Sequence, residues 1–155
     1  MHPFPPGLAD IITPVTIYLK IRDKYPNTIL LESSDYHGNN NSMSYICFDV
    51  LAEFKAECYK IQINFPDGNQ ERIPIKDKQT VAEKFNEFLK SFKIEKGSDQ
   101  TGIAANGLFG YTTYDAVKYF EDIRFRHAGD SRYGIPDIYY SLYRYIIAIN
   151  HFNNR

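Results

Sequence analysis

The 155-residue chain contains no tryptophan, only two cysteines and no excess of charge of either sign. Its 18 lysines and arginines nearly balance its 19 aspartates and glutamates. Because contacts with a phosphate backbone need a basic surplus, this balance argues against a nucleic-acid-binding protein. The two thiols, Cys47 and Cys58, are too few for a disulfide framework or a cysteine zinc site. Both occur in apolar, strand-like segments, so we expect both to be buried free thiols.

Long apolar runs are missing as well. No segment approaches the roughly 18 consecutive apolar residues of a membrane span. The first six residues, MHPFPP, lack the cationic stretch and the apolar run that make a signal peptide. We therefore predict a soluble, cytoplasmic protein with no membrane partner.

Aromatic residues are abundant instead, with 13 tyrosines and 11 phenylalanines. Aromatic side chains favour strands, and the apolar segments predict strands at 28–33, within 43–75, at 107–111 and at 137–152. Asp67-Gly68-Asn69 has the composition of a hairpin turn.

Three helices complete the pattern. Thr13-Pro14 marks a helix start, because threonine caps helices and proline suits the first position, and this helix is predicted over 14–25. A short helix is predicted at 114–121. A packing helix is predicted at 79–92 from one apolar stripe: Val81, Phe85, Phe88, Leu89 and Phe92. The order of elements indicates an α+β fold, a mainly antiparallel β-sheet with flanking helices.

No catalytic or metal-binding constellation is visible in the sequence. The four histidines do not have the spacing of metal ligands. Asp115, Glu121 and Asp122 are acidic residues along a short helix, which favours a solvated face. Gly107 and Gly110 lack the spacing of a phosphate-binding loop, and they are more typical of close backbone packing. These residues predict a soluble α+β domain with no catalytic residues, no metal and no cofactor of its own.

Four segments carry a resemblance to a known family. Leu30-Leu31-Glu32-Ser33 is followed, after ten residues, by Ser44, which resembles the LLES-x10-S motif of the large subunit, component I, of anthranilate synthase. Residues 107–121, GLFGYTTYDAVKYFE, resemble the family's GxxGYxxYDxVRxFE stretch. Pro136-Asp137 before an aromatic strand and Thr13-Pro14-Val15 also fit. The segments occur in the family's order and with its gaps.

The resemblance implies that residues 1–155 form the N-terminal regulatory domain of component I, truncated before the chorismate-binding catalytic domain. The apolar residues 146–149, so close to the last residue, also suggest a cut chain. The whole enzyme is a lyase that makes anthranilate from chorismate in tryptophan biosynthesis. Its Mg²⁺ is expected in the missing catalytic domain, and its partner is a glutamine amidotransferase subunit, component II. The fragment alone is expected to be inactive.

The resemblance further implies that Leu31, Glu32, Ser33 and Ser44 contribute to the allosteric site at which L-tryptophan inhibits the enzyme. Glu32 would pair with the ammonium group of the inhibitor, and the two serines would form hydrogen bonds with it. Leu30 or Leu31 would line the apolar part of the site. The chain departs from the family at Ser42 and Met43, where many members carry arginine or lysine, and this departure removes a cation from the expected carboxylate contact.

Two other interpretations stay open at this point. One is a fragment of aminodeoxychorismate synthase component I, which uses the same substrate in the p-aminobenzoate and folate pathway. The LLES motif favours anthranilate synthase over this relative. The other is a stand-alone small-molecule-binding domain.

Overall fold

The computed structural model describes residues 13–32, 43–93, 107–122 and 134–151. Their fold is the predicted one, α+β with a mostly antiparallel sheet. The helices are α1 (Pro14–Arg22), α2 (Lys78–Lys90) and a 3-10 helix (Tyr114–Tyr119). The strands are β1 (Ile29–Glu32), β2 (Met43–Glu57), β3 (Lys60–Asn64), β4 (Gln70–Pro74), β5 (Leu108–Thr112) and β6 (Ile138–Asn150). No helix among these described ranges is long and apolar enough to cross a bilayer.

The sheet has six strands in the order β4-β3-β2-β6-β5, with β1 paired to β2 outside this path. Backbone contacts divide the chain into two compact units. Of the described residues, the first unit holds 13–32, 43–50 and 143–151, and the second holds 51–93, 107–122 and 134–142. The described residues predicted to bind tryptophan, Leu31, Glu32 and Ser44, belong to the first unit.

In the first unit, α1 begins as predicted and ends earlier than predicted. The Thr13 hydroxyl accepts a hydrogen bond from the Thr16 backbone N–H at 3.2 Å, and Pro14 occupies the first turn. The helix ends at Arg22 rather than at Tyr25. The backbone N–H groups of Lys24 and Tyr25 both donate to the Ile21 carbonyl, so the last turn tightens before the chain enters β1.

Also in the first unit, β2 contains a local irregularity at Asp49. This residue has φ 62°, a left-handed conformation that aspartate tolerates better than most residues do. Its carboxylate lies 3.0 Å from Nε of Arg144 on β6, in an ion pair that holds the two strands side by side. A continuous apolar strand in the sequence gave no sign of this interruption.

The core of the second unit packs α2 against β2 and β3. Asp77 caps the helix by accepting hydrogen bonds from the backbone N–H groups of Gln79 and Thr80. Phe88 is 1% exposed, and its ring lies 5.8 Å from that of Phe54. The predicted stripe is therefore confirmed except at Leu89, which is 44% exposed. The residue after Phe88 is turned by about 100° around the helix axis, which carries it to the margin of the apolar face.

The two cysteines have different environments, and the prediction for one of them was wrong. Cys47 is buried in β2, and burial raises its pKa to about 12. Cys58 is exposed, because it lies with Tyr59 in the tight turn between β2 and β3. Both turn residues have positive φ, 49° and 58°, as a two-residue hairpin of the type I′ class requires.

Gly110 allows the close approach of β5 and β6. The two strands are antiparallel, with Gly110 opposite Tyr140. A Cβ atom added at Gly110 would overlap the backbone carbonyl oxygen of Tyr139, whereas one added at Gly107 would meet nothing within 4 Å. The predicted role of this glycine pair in backbone packing is thus confirmed for Gly110 and not for Gly107.

We expect Gly110→Ala to destabilise the chain by about 1–3 kcal/mol, because the new methyl group must push β5 away from β6. Gly107→Ala is the matched control and should change the free energy of unfolding by less than about 0.5 kcal/mol. Urea unfolding followed by circular dichroism measures both. Equal stability of the two variants would contradict the close approach.

We also expect one thiol of the native chain to react with a disulfide reagent and the other to stay protected. Cys58 should react promptly because it is exposed, while Cys47 should react only after unfolding, because it is buried and its pKa is raised. Counting released thiolate with and without urea measures this. In the control Cys58→Ser, prompt reaction of the native protein would show that Cys47 is accessible after all.

Candidate functional site

The pairing of β1 with β2 brings two of the predicted site residues together. Glu32 is the direct partner of Ser44 in the antiparallel register, so the two side chains project from the same face of the sheet. The next pair on this face is Leu30 with Ile46. Leu31 pairs with Tyr45 and therefore belongs to the opposite face, where it is 37% exposed.

Ser44 contacts a residue that the sequence analysis did not select. Its side chain is fully buried, and its Oγ lies 2.6 Å from Nε2 of His151, at the end of β6. Since β1 occupies one edge of β2 at this point, β6 occupies the other. Glu32, Ser44 and His151 consequently form a polar row across three neighbouring strands. The spacing of the histidines carries no signal of this contact, which joins residues 107 positions apart.

Ser33 and Ser42 lie outside the described residues. Met43 begins β2 and is half-buried. Leu30, rather than Leu31, shares the face of Glu32 and Ser44.

Aromatic contacts fix the strands behind this row. The Phe48 ring lies 5.1 Å from the ring of Tyr25 and 5.2 Å from that of Tyr145, on β6. The Tyr143 hydroxyl donates a hydrogen bond of 3.0 Å to the Asn27 carbonyl, which ties β6 to the segment that leads into β1. The first unit therefore holds β1, β2 and β6 in a fixed register, as a binding site needs.

The polar row does not have the properties of a catalytic centre. A serine beside a histidine suggests a nucleophile and its base, but the Ser44 hydroxyl has no exposed surface from which to attack a substrate. The raised pKa of Cys47 keeps its thiol protonated at neutral pH. Within the part of the chain that the structure describes, no group of three or more His, Cys, Asp or Glu could hold a metal ion.

Two polar networks of the second unit are internally satisfied. Burial raises the pKa of Glu53, but hydrogen bonds from Tyr139 (2.6 Å) and Asn64 (2.8 Å) and the charge of Lys55 outweigh burial and lower it overall. Each carboxylate oxygen is therefore engaged by the protein itself. These partners stabilise the sheet and leave no group aimed at a ligand.

The second network centres on Asp137, whose carboxylate accepts hydrogen bonds from the Tyr119 hydroxyl (2.6 Å) and the Lys118 ammonium (2.8 Å). Burial and the bond to Asp137 raise the pKa of Tyr119. Glu121 and Asp122, after the 3-10 helix, are exposed as predicted, and Asp122 pairs with Lys78, whereas Asp115 is half-buried rather than part of a solvated face.

An open groove of about 570 Å³ lies between α2 and the sheet of the second unit. Its walls are mostly apolar side chains, including Phe85, Leu89, Leu108 and Phe120. The lining contains no charged residue, and its Thr112 hydroxyl already contacts that of Tyr140 at 3.3 Å. This groove lacks the convergent polar groups that orient a small ligand, so the polar row is the better candidate site.

Comparison with known proteins confirms the resemblance found in the sequence. The chain is 27% identical to anthranilate synthase component 1 of Lactococcus lactis over 146 residues, 92% of the chain and 28% of that protein. It is 30% identical to the Pseudomonas putida protein of the same name over 131 residues, 84% of the chain and 26% of the relative. The Thermus thermophilus protein of that name is 28% identical over 148 residues, 95% of the chain and 29% of the relative.

The chain thus spans between 26% and 29% of the length of these curated relatives. No protein-family model matches it.

Proposed function

We propose that this chain is the N-terminal regulatory part of an anthranilate synthase component I and that the polar row contributes to a tryptophan feedback site. The support for the first statement is the similarity to relatives named anthranilate synthase component 1, which extends over 84–95% of the chain. The support for the second is the register of β1 and β2, which makes Glu32 and Ser44 direct partners.

In this proposal the whole enzyme makes anthranilate from chorismate, with ammonia supplied by a glutamine amidotransferase subunit. The proposal places the chorismate and Mg²⁺ sites in the catalytic domain of the whole enzyme, outside these residues. The contribution of this chain is regulation rather than chemistry.

The chemistry of an amino-acid ligand explains the residue types at the proposed site. Glu32 is exposed at the end of β1, and a carboxylate there complements the ammonium group of tryptophan. Ser33 follows directly in the chain and offers a hydroxyl as donor or acceptor. Leu30 shares the face of Glu32 and is the leucine placed to pack against the indole ring, whereas Leu31 projects from the opposite face of the sheet.

The alternatives differ from this proposal in what they bind. A fragment of aminodeoxychorismate synthase would come from an enzyme with another product, and the relatives compared above do not carry that name. A stand-alone sensor would bind its ligand without affecting any chorismate-dependent reaction.

We expect the purified 155-residue chain not to convert chorismate in the presence of Mg²⁺ and ammonia, because it spans less than a third of its relatives. Anthranilate fluorescence measures the reaction, and a complete component I from a relative is the positive control. Turnover that copurifies with the chain through two chromatographic steps would overturn the assignment of a purely regulatory role.

In the full-length enzyme we expect Glu32→Ala and Ser33→Ala to raise the tryptophan concentration that gives half-inhibition. Losing a hydrogen bond with a charged ligand group costs about 1.5–3 kcal/mol, so inhibition should weaken by roughly one to two orders of magnitude. Each variant's inhibition is expressed relative to its own rate without tryptophan.

Glu83→Ala is the matched control, since Glu83 is an exposed glutamate on α2 in the second unit. Its inhibition should equal that of the wild type. If tryptophan inhibits both site variants as strongly as the wild type, the LLES-x10-S residues have only a structural role in this chain and do not bind the inhibitor.

A further inference from the structure

We propose that β5 is a dimerisation edge, at which two copies of this chain join their sheets by antiparallel pairing of β5 with β5. The inference concerns the second unit and is independent of the proposed feedback site. It begins with the position of β5 at one end of the strand order β4-β3-β2-β6-β5. Among the described residues, β6 pairs with one side of β5 and no strand pairs with the other side.

The register of β5 with β6 determines which backbone groups of β5 face outward. The Thr113 N–H donates to the Asp137 carbonyl at 2.8 Å, one position beyond the last pair of the ladder. Hydrogen-bonded and non-hydrogen-bonded pairs alternate along an antiparallel ladder, so the odd-numbered residues of β5 bond to β6. The even-numbered residues, Leu108, Gly110 and Thr112, therefore direct their N–H and C=O groups away from β6.

The other edge of this sheet, β4, carries features that prevent strand pairing. Glu71 and Arg72 place charges on it, and Pro74 has no N–H to donate. The bond from the Phe65 N–H to the Asn69 carbonyl makes the even-numbered residues of β4 the outward-facing ones, so Pro74 removes an outward donor. Strand β5, with the sequence LFGYT, has neither a charge nor a proline. One edge is therefore protected against pairing and the other is not.

The backbone of β5 is complementary to itself. When two β5 strands run antiparallel with Gly110 opposite Gly110 of the second copy, Leu108 of each copy lies opposite Thr112 of the other. Each of these pairs can exchange two N–H···O=C bonds, which satisfies all the outward-facing donors and acceptors of both strands. A shift of the register leaves some of these groups unpaired. The symmetric register is therefore the favoured one, and it forms a closed dimer.

The side chains of β5 suit the same arrangement. Phe109 of each copy lies opposite Tyr111 of the other, and aromatic cross-strand pairs of this kind stabilise sheets. Because the strand carries no charge, the pairing brings no like charges together.

The apolar groove beside β5 gives the second copy a surface to cover. Leu108 and Thr112 line this groove together with Leu89 of α2 and Phe120, which are 44% and 41% exposed. The twofold axis is perpendicular to the sheet, so both α2 helices lie on the same face and the two grooves meet above the joined strands. Neither groove contains a charged residue. Dimerisation therefore removes apolar side chains from water.

The test measures the mass of the 155-residue chain by analytical ultracentrifugation as its concentration is raised. We expect a monomer–dimer equilibrium with a dissociation constant of about 10–100 µM, because one edge strand and a shallow groove form an interface at the small end of the stable range. Thr112→Pro should weaken dimerisation about tenfold or more, since it removes two symmetry-related hydrogen bonds across the seam.

Two variants control for other effects of this substitution. Thr112→Val also loses the hydroxyl but keeps the N–H, and it should dimerise like the wild type. Arg72→Pro places a proline at an outward-facing position of the opposite edge, and it should leave the dissociation constant unchanged. Circular dichroism checks that each variant is folded.

Amide hydrogen exchange tests the pairing in the wild type without any substitution. The exchange rates at Leu108, Gly110 and Thr112 should fall about five- to tenfold between a concentration far below the dissociation constant and one of about 1 mM. The amides of Gln70 and Arg72, which face outward from β4, should exchange at the same rate at both concentrations.

Three results would overturn the proposal: a wild-type chain that is still monomeric at about 1 mM, a dimer in which exchange at the three β5 amides is unchanged, or a Thr112→Pro variant that dimerises as tightly as Thr112→Val. Protection of the β5 amides in a monomeric, longer product of the same gene would assign this edge to another segment of that polypeptide and would equally exclude the dimer. Tryptophan inhibition is measured separately, so the feedback site stands or falls on its own experiment.

Discussion

Strand β2 is the constraint on which the rest of the sheet depends. Its 15 residues pair with β1 over Ser44–Cys47 and with β3 over Glu53–Glu57, and β6 lies along its other edge. A strand with neighbours on both edges satisfies its backbone groups internally and can therefore be buried. Side chains of this strand are completely buried in both units, Ile46 in the first and Phe54, beneath the Phe88 ring of α2, in the second.

Local signals in the sequence were enough to predict most of the elements. Helix α2 has a capping aspartate and an apolar stripe, and the turn at Gly68 has the positive φ that its composition predicts. Both features depend on residues that are close together in the sequence. The exposed Cys58 was misjudged, because a two-residue turn inside an apolar run has no glycine or proline to mark it.

The site was predictable only where the motif itself is local. Glu32 and Ser44 are twelve positions apart, and the pairing of two adjacent strands brings them together. The choice between Leu30 and Leu31 depends on the register, because a shift by one residue moves a side chain to the other face. His151 directly follows the last strand, and its contact with Ser44 depends on how β6 pairs with β2. No spacing rule reports such a long-range contact.

Two glutamates, Glu53 in the second unit and Glu32 in the polar row, differ in how available their carboxylates are to a ligand. Glu53 is 12% exposed in its side chain, and Tyr139, Asn64 and Lys55 already surround its carboxylate. A ligand cation would have to displace these bonds, each of which the buried carboxylate needs. Glu32 is exposed, and among the described residues no side chain pairs with it.

Ser44, the buried residue of the polar row, differs from Glu32 because its side chain already has a hydrogen-bond partner within the protein. A hydroxyl without access to water costs free energy unless it is hydrogen-bonded, and for Ser44 the bond to His151 meets this need. Any group that competes for the Ser44 hydroxyl would have to replace that bond. The row therefore combines a fixed centre with two exposed ends of opposite chemical character, a carboxylate and an imidazole. In the proposed feedback site the exposed Glu32 carboxylate would pair with the ammonium group of the ligand, and the apolar residues beside it would contact the ligand's side chain.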